Sequence, residues 1–504
     1  MKFLFLSLNL GLLSALGFEP LGLWPLTLAS FTFLAWTVER APSLRSALAR
    51  GYWFGVGQFV LGLNWIATAF TFQAKMPPWL GWVAVVLLSL YLAVYPAAAA
   101  GLAWRWGRAR TVVLVLVLAA AWMVTEWLRA SMFTGFAWNP VGVALLPTFL
   151  REAATIVGTY GLSGILVLLS GALLLLTKRH WRSSAAIAAG TLSLGVAGDI
   201  MHAAPDGPPG LPLRIVQPNI GQDTKYNAAL VAENFQRLFR LTGQAGTEKR
   251  LVLWPEVAVV EPLIDERSHP LAGQAAAAVR ETVARSIGPA DILLTGGIEF
   301  RSADGVRLTS ATNSVFAIDR SGRIFGQYDK AHLVPYGEYL PMRPILSAIG
   351  ISELAPGAVD TDPGPGPRTL TIPGVGRVAM QICYEIIFSG HVVASGTRPD
   401  FIFNPSNDAW FGRWGPPQHL AQARLRALEE GLPVLRSTPT GISAVVDAEG
   451  RLLHSLPWRT AGVIDAALPA PKPPTLFARG GNVLPFLFAF LLAGLAIAVG
   501  RKRS

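Results

Sequence analysis

Three polar residues that could perform acyl transfer stand at the ends of β-rich runs in the sequence. Glu256 ends the run RLVLWPE, Lys330 ends GQYDK, and Cys383 ends RVAMQIC. A thiolate can attack a carbonyl carbon, a carboxylate can accept the thiol proton, and an ammonium can stabilise the resulting oxyanion. We expect Cys383 to lie where a strand turns into a helix, because backbone N–H groups there favour the thiolate.

Each of these residues also has a purely structural interpretation. Glu256 follows Trp-Pro and could cap a helix, and Lys330 could be a surface charge. Cys383 is the single cysteine of the chain and could be a small buried apolar residue, which is the commoner role of a cysteine. The spacing of the three residues does not by itself decide between these interpretations.

The sequence lacks the motifs of several other enzyme classes. Its seven histidines are scattered, and it contains no HExxH motif and no pair of cysteines, so we expect no metal site. It has no Walker A loop, no GxGxxG after a strand and no GxSxG elbow. These absences argue against nucleotide use and against a serine hydrolase of the α/β type. We expect no cofactor.

The composition indicates an integral membrane protein. Of the 504 residues, 52% are hydrophobic and only 14% are charged, whereas about 25% are charged in a typical soluble domain. A helix needs about 20 mainly apolar residues to cross a bilayer. Eight uncharged stretches are candidates, of which the first and seventh are short: 3–18, 20–38, 52–74, 79–104, 111–125, 153–177, 183–198 and 483–499. The first could be a cleaved signal peptide, but a second apolar stretch follows it after one short turn.

Basic residues between the apolar stretches predict the orientation of the chain. The net charge is +11, and nearly all of it lies in short basic stretches between the apolar runs and at the two ends, so we expect no nucleic-acid partner. The loops after stretches two, four and six hold nine Lys and Arg, against three after stretches one, three and five. This bias places both termini in the cytoplasm and the long section before the last stretch outside.

The long section reads as an α/β domain between two Pro-rich linkers. β-rich runs alternate with amphipathic stretches such as NAALVAENFQRLFRLTG, which favours sheets covered by helices. The β-rich runs are LRIVQ, RLVLWPE, DILLTGGIEF, NSVFAID, RVAMQI and FIFN. We expect a seven-span bundle over 1–200, a catalytic domain over 201–475, and a last transmembrane helix with a basic tail over 476–504.

Longer motifs around the three residues resemble a known family. LVLWPE, ILLTGGIEF, YDKAHLVPYGEYLP and VAMQICYEIIF are similar to the motifs of the nitrilase superfamily, which carries a Glu-Lys-Cys triad. SNDAWFG and QHLAQARLRALEEGLPVLRSTPTGISAVVDAEG, together with the apolar stretches, resemble the apolipoprotein N-acyltransferase family. The resemblance implies an eight-span helical membrane bundle joined to an α/β nitrilase-like α-β-β-α sandwich.

The same resemblance implies a reaction and its residues. The family moves an acyl chain from a membrane phospholipid to the N-terminal amine of a diacylglyceryl-cysteine lipoprotein. By motif match, Glu256 would be the general base, Lys330 the oxyanion stabiliser and Cys383 the nucleophile. Supporting roles would fall to Glu338, Tyr384 and Glu385. The implied location is the bacterial cell inner membrane, with a periplasmic catalytic domain, and we expect a monomer.

This sequence departs from the family pattern at three positions. Tyr226 stands where the family usually has Trp, Pro439 stands in a usual TNTG motif, and Leu432 replaces a usual Arg. The resemblance suggests Tyr226 and Trp410 as substrate-binding residues. The Tyr226 departure leaves the contact to the acceptor open.

Two alternative functions, and the role of one apolar segment, remain to be considered. A membrane-anchored amidase could use the same triad with water as the acceptor. A transporter is disfavoured because transporters carry ionisable residues within their spans, whereas the uncharged stretches hold none. The apolar run MRPILSAIGISEL (342–354) could be a lid dipping toward the lipid, or simply part of the core.

Overall fold

Apolar helices build most of the first two hundred residues and the end of the chain. The computed structural model describes residues 1–72, 77–203, 207–208, 210–243, 248–341 and 361–501. In this part the apolar helices are Lys2–Ala15, Trp24–Glu39, Leu44–Gly62, Ile66–Ala69, Trp79–Leu92, Val94–Gly107, Thr111–Ser131, Ala154–Thr177, Trp181–His202 and Val483–Arg501.

Five helical segments among the described residues are long and apolar enough to cross a bilayer. They are Trp79–Gly107, Thr111–Ser131, Phe149–Thr177, Trp181–His202 and Val483–Arg501. A sixth results if Leu44–Gly62 and Ile66–Phe72, bent by 49° relative to each other, form one span. The first two helices have 14 and 16 residues, which is short for a crossing. The structure therefore supports a multi-pass bundle but does not confirm eight spans.

One helix extends beyond the uncharged stretch predicted for it, 111–125, and this extension adds ionisable residues to a candidate span. The helix Thr111–Ser131 continues past Thr125 and contains buried Glu126 and Arg129. Glu126 accepts a hydrogen bond from the backbone N–H of Val141 at 2.9 Å, and Arg129 donates to the carbonyl of Trp138 at 2.8 Å. Both side chains thus secure the segment after their helix, which is a structural role.

Glycines let the first and third helices pack backbone against backbone. A Cβ added to Gly57 would lie 2.1 Å from the carbonyl oxygen of Leu8, and one added to Gly11 would lie 2.0 Å from that of Phe54. Small residues that allow such close approach are typical of helix interfaces in membranes.

The described residues after 210 fold into two β-sheets. The first has the order β13-β1-β2-β4-β5-β6 with β3 beside β4, and the second has the order β12-β11-β10-β9-β8-β7. The strands are β1 Pro212–Gln217, β2 Leu251–Leu253, β3 Pro262–Asp265, β4 Ile292–Arg301, β5 Ser310–Ile318, β6 Ile324–Asp329, β7 Thr369–Ile372, β8 Gly376–Met380, β9 Phe401–Pro405, β10 Val434–Ser437, β11 Ala444–Val446, β12 Leu452–Ser455 and β13 Gly462–Ala467. They confirm the six predicted β-rich runs.

Strand direction determines which ends of the strands meet. In the first sheet β1, β2 and β4 are parallel, so that Ile215 lies beside Leu253 and Leu253 beside Leu294. β6 also runs in the direction of β4, because each is antiparallel to β5. In the second sheet β8, β9 and β10 are parallel. The carboxyl ends of β2 and β6 therefore lie on the same edge of the first sheet.

The two sheets share a core and are covered by helices on their outer faces. Buried side chains from both sheets, among them Ile215 and Val315 of the first and Val378 and Phe403 of the second, form one cluster. Leu238 of the helix Val231–Thr242 and Val283 of the helix Pro270–Ala284 pack on the other face of the first sheet. The helix Gly415–Glu430 covers the second sheet and contributes Leu420 and Ala423 to the shared cluster.

The helix Gly415–Glu430 also contacts the bundle of apolar helices described above, here called the membrane-type bundle. The indole N–H of Trp138 donates to Gln418 at 2.8 Å. The Glu429 carboxylate accepts hydrogen bonds from the backbone N–H and the hydroxyl of Thr159, at 2.6 and 2.7 Å. The backbone N–H of Thr159 can donate to Glu429 because Gly158, with φ of +64°, kinks the helix at this point. One helix is thus shared by the two-sheet fold and the helical bundle. The proposed lid, 342–354, lies outside the described residues.

Candidate active site

The three triad candidates lie just beyond the carboxyl ends of three strands. Glu256 follows β2, Lys330 follows β6 directly, and Cys383 follows β8. Only 5%, 1% and 4% of their respective surfaces are exposed. Charged groups are this deeply buried only when they are paired, so their partners define the site.

Lys330 joins two carboxylates. Its Nζ lies 3.3 Å from Oε1 of Glu256 and 2.9 Å from the carboxylate of Glu338. The amide of Asn313, on β5, donates to both carboxylates at 2.7 and 3.0 Å. Glu338 in turn accepts from the backbone N–H of Val334 at 2.8 Å. One cation and one amide thus hold the two carboxylates together.

The electrostatics keep Glu256 ionised. Burial alone raises the pKa of Glu256, but Lys330, Asn313 and Lys225 outweigh it and hold the pKa below its ordinary value. Burial alone would lower the pKa of Lys330, whereas Glu256 and Glu338 raise it overall. At neutral pH the pair is therefore a carboxylate and an ammonium.

The Cys383 thiol is protonated at rest, contrary to the expectation from the sequence. Burial and then the negative charge of Glu256 raise its pKa well above the ordinary value. The predicted helix is one five-residue 3₁₀ turn, Cys383–Ile387, and the dipole of so short a helix does not offset burial. The charge of Glu256 acts on the thiol, and Oε2 of that carboxylate has no hydrogen-bond partner among the described residues, so it is available to accept a proton.

The backbone at Cys383 is held in the left-handed region. Its φ is +53°, a conformation that costs a non-glycine residue of order 1–3 kcal/mol and recurs at functional sites. The surrounding contacts must supply this free energy.

Glu385 connects the 3₁₀ turn that begins at Cys383 to the loop after Lys330. Its carboxylate accepts hydrogen bonds from Tyr328 at 3.0 Å, from the backbone N–H of Ala331 at 2.7 Å, and from that of Ile382 at 2.7 Å. Burial, only partly offset by these hydrogen bonds, raises the pKa of Glu385 to about 7. Its position therefore favours support of the site over reaction with the substrate.

Tyr384 connects the nucleophile turn to the membrane-type bundle. Its hydroxyl lies 3.4 Å from the carbonyl oxygen of Gly135, in the segment after the helix Thr111–Ser131. The two proposed substrate-binding residues lie further out. Tyr226 is 48% exposed, with Nζ of Lys225 5.7 Å from its ring, and Trp410 stacks edge-on against Phe72 at 5.7 Å.

Two site residues were missed in the sequence. Asn313 lies between Thr312 and Ser314 at the start of the predicted run NSVFAID, so no local feature distinguishes its amide. Lys225 is buried, and its Nζ donates to the backbone carbonyl of Glu256 at 3.1 Å. Burial lowers the pKa of Lys225 to about 8, although Glu256 opposes this shift. Pro439 lines a small pocket together with Lys225 and Glu256, and Leu432 is a buried core residue.

No group of three or more His, Cys, Asp or Glu side chains that could hold a metal ion occurs among the residues the structure describes. The arrangement is a buried thiol, a carboxylate whose charge acts on it, and an ammonium 3.3 Å from that carboxylate. It can perform acyl transfer through a thioester without further groups.

Comparison with known proteins identifies the family. The family model of the apolipoprotein N-acyltransferase N-terminal domain matches residues 10–172, and that of carbon-nitrogen hydrolase matches residues 213–472. An apolipoprotein N-acyltransferase of Bradyrhizobium diazoefficiens is 36% identical, over 99% of this chain and 94% of that protein. Its counterpart in Rhodopseudomonas palustris is 35% identical, over 99% and 95%. The chain belongs to the apolipoprotein N-acyltransferase family.

The two matched regions correspond to the two parts of the structure. The apolipoprotein N-acyltransferase N-terminal region covers the apolar helices up to Ala172, and the carbon-nitrogen hydrolase region covers both sheets. Among solved structures, an amidase of the nitrilase superfamily from Nesterenkonia AN1 is similar over 52% of this chain and 91% of its own, with 19% identity and a TM-score of 0.35. Saccharomyces cerevisiae Nit3 is similar over 55% and 94%, with 17% identity and a TM-score of 0.36.

Proposed function

We propose that the protein transfers an acyl chain from a membrane phospholipid to the N-terminal amine of a diacylglyceryl-cysteine lipoprotein, through a thioester on Cys383. The observation that carries the proposal is the buried cluster of Glu256, Lys330 and Cys383 in a domain whose covering helix is anchored to membrane-type helices. Both substrates carry acyl chains, whose exposure to water costs about 0.8 kcal/mol per CH₂. A site fixed beside the bilayer avoids this cost.

The first half-reaction forms the thioester. The Cys383 thiol gives its proton to Glu256, and the sulfur attacks the ester carbonyl carbon of the phospholipid. The carbonyl oxygen becomes an oxyanion, which the Lys330 ammonium stabilises. The C–O bond then breaks, and the leaving oxygen takes the proton from Glu256. The products are an acyl-thioester and a lysophospholipid.

The second half-reaction transfers the acyl group. The amine of the lipoprotein cysteine attacks the thioester carbonyl and loses a proton to Glu256. The C–S bond breaks, and the Cys383 sulfur recovers that proton. Two half-reactions through one covalent intermediate predict ping-pong kinetics. Between the two steps the thioester must be kept from water, because attack by water would release a free fatty acid instead of transferring the acyl group.

Mass measurement of both products tests the proposal. We expect the purified protein, given phospholipid alone, to gain one acyl mass on Cys383 and to release one lysophospholipid. Added diacylated lipopeptide should then gain the acyl group on its amine, and Cys383→Ser should lose the thioester. Free fatty acid without transfer would favour the amidase-type hydrolase, and acylation elsewhere in the chain would overturn the role of Cys383.

The proposal extends to topology. We place eight crossings in a bacterial inner membrane, with both termini cytoplasmic and residues 201–475 periplasmic, between a bundle over 1–200 and an anchor over 476–504. The distribution of basic residues between the apolar stretches supports this orientation, and we propose a monomer. In a Cys383→Ser background, an impermeant maleimide should label Ala303→Cys in intact spheroplasts, and Arg45→Cys only after lysis. The reverse pattern would overturn the orientation.

A further inference from the structure

A chain of buried polar side chains lies behind the nucleophile. His419, on the helix Gly415–Glu430, places Nε2 3.1 Å from the carbonyl oxygen of Cys383 and Nδ1 3.0 Å from the carboxylate of Asp408. Asp408 is paired with Arg436 at 2.7 and 2.8 Å. His419, Asp408 and Arg436 are fully buried, and the triad chemistry uses none of them.

The partners of His419 fix the position of its proton. A carbonyl oxygen can only accept a hydrogen bond, so Nε2 must carry a proton and donate to Cys383. Nδ1 also lies 3.1 Å from a guanidinium nitrogen of Arg436. Burial and the charge of Arg436 lower the pKa of His419. His419 therefore donates from Nε2 to Cys383, and its Nδ1 lies against the ion pair of Asp408 and Arg436.

The hydrogen bond from His419 falls on a residue whose backbone needs support. Cys383 has φ of +53°, and its carbonyl oxygen receives a second, longer hydrogen bond from Asn404 at 3.4 Å. Asn404 is itself held by Arg436. Because a trans peptide is planar, fixing this carbonyl also fixes the direction of the Tyr384 N–H on the opposite side. We propose that His419 is a positioning residue that orients the Cys383 sulfur through the backbone carbonyl.

The membrane-type bundle reaches the same histidine. The ring of His419 lies 5.2 Å from that of Trp138 and 5.7 Å from that of Phe411. Trp138 is held at its indole N–H by Gln418 and at its carbonyl by Arg129 of the helix Thr111–Ser131. His419 thus lies between the bundle and Cys383. The position of Trp138 therefore contributes to the position of the His419 ring.

Three substitutions at His419 test the inference, which rests on the proposed thioester chemistry. Gln can place an amide N–H near the position of Nε2, Asn is too short to do so, and Leu has no donor. We expect His419→Leu and His419→Asn to lower the first-order rate of Cys383 acylation by about 100-fold, the loss typical of a misplaced reacting group. The KM for phospholipid should stay within about twofold, and His419→Gln should recover most of the rate.

The pH profile separates positioning from acid–base catalysis. With each variant in detergent, we would measure alkylation of Cys383 by iodoacetamide against pH, together with the thermal unfolding temperature. The His419→Gln profile should coincide with that of the wild type. If Leu prevents folding, the comparison of Gln with Asn decides.

Each contrary result has a distinct meaning. Wild-type protein that forms no thioester on Cys383 would overturn the proposed function. Wild-type protein that does form it, with Leu or Asn variants of unchanged rate, would overturn the role of His419 alone. Failure of folded His419→Gln to recover the rate, or a shifted pH profile in that variant, would show that the imidazole itself takes part and would also overturn the inference.

Discussion

At the residue scale, the Cys383 thiol and the Glu256 carboxylate form one coupled pair. The negative charge of Glu256 raises the pKa of the thiol, and Lys330 lowers that of the carboxyl. The resting site is therefore a neutral thiol beside a charged base. In the proposed mechanism, reactivity depends on moving one proton from the thiol to the carboxylate when the substrate arrives, rather than on a preformed thiolate.

Replacement of the base tests this coupling. Glu256→Gln keeps the side-chain shape but cannot accept the thiol proton. We expect thioester formation to slow by about 10²–10⁴-fold, the usual contribution of general base catalysis, as measured by the time course of the acylated protein mass. Glu299→Gln removes another buried carboxylate, one paired with Gln327 at 2.8 Å, and should leave the rate nearly unchanged. Equal loss in both variants would contradict the assignment.

Removal of Lys225 should move the pH dependence of the reaction. Lys225 lowers the pKa of Glu256, so Lys225→Met should raise that pKa. The base works only when ionised, and the acid limb of the rate of Cys383 acylation should therefore move to higher pH. Lys249→Met is the control, because Lys249 precedes β2 at the opposite end from Glu256. An unchanged acid limb in Lys225→Met would refute the coupling.

At the element scale, the helix Gly415–Glu430 has two functions. It covers the second sheet, and it binds the kinked helix Ala154–Thr177 through buried polar groups. Glu429 accepts from Thr159 and from Ser389, at 2.8 Å for the latter, and lies 2.7 Å from the Arg426 guanidinium. The interface therefore contains buried, paired charges. Removing one member of such a pair destabilises the folded protein, because the other charge stays buried without compensation.

Loss of Glu429 should destabilise the protein strongly. Glu429→Ala leaves the buried Arg426 charge uncompensated, and the cost of such a break is about 3–5 kcal/mol. We expect a clear fall in the thermal unfolding temperature in detergent. Glu233→Ala removes an exposed ion pair with Arg237 at 3.1 Å, which contributes about 0.3–0.5 kcal/mol. Similar unfolding temperatures for the two variants would argue against a tight interface.

Helix packing in the bundle gives a second test at this scale. Gly57→Ala would place a methyl group 2.1 Å from the Leu8 carbonyl oxygen, so the two helices must separate. Gly494→Ala is the matched control, because nothing lies within 4 Å of its added Cβ. Thermal aggregation in detergent should begin at a lower temperature for Gly57→Ala only. Equal onset for both would mean that the helices tolerate separation.

Much of the catalytic fold follows from local sequence pattern, whereas contacts between residues that are far apart in the sequence do not. The β-rich runs predicted the strands, whereas the position of Glu256, Lys330 and Cys383 at strand ends left their role open until the resemblance of the surrounding motifs singled them out. His419 and Arg436 lie in a helix and a strand with no local feature that distinguishes them from other polar residues. Their importance arises from partners far along the chain, which only the folded structure brings together.

The helix boundaries show a second limit of pattern reading. Charged residues were taken as the ends of apolar stretches, yet the helix Leu44–Gly62 contains Arg50, whose guanidinium lies 4.3 Å from the Phe3 ring centre. It also donates to the carbonyl of Thr37. A cation satisfied by a carbonyl and an aromatic face can lie inside an apolar helix, and hydropathy alone does not register such partners.

At the scale of the whole molecule, the catalytic domain and the bundle do not separate cleanly. Residues 212–468 expressed alone would expose Gln418, Glu429 and the face of their helix that binds Trp138 and Thr159. We expect this fragment to aggregate or to lack thioester formation, whereas the full chain in detergent remains monodisperse and active. Size-exclusion chromatography and the acylated mass check this. A soluble, acylating fragment would show that the interface is dispensable.

The shared helix also sets how the protein meets its substrates. A site tied to the bilayer by Thr159 and Trp138 cannot leave the surface to search solution, so encounters depend on lateral diffusion in two dimensions. Turnover in mixed micelles should accordingly follow the mole fraction of phospholipid at the interface rather than its bulk concentration. Inert detergent would then slow the reaction by diluting the phospholipid donor within the micelle surface, without binding at the site.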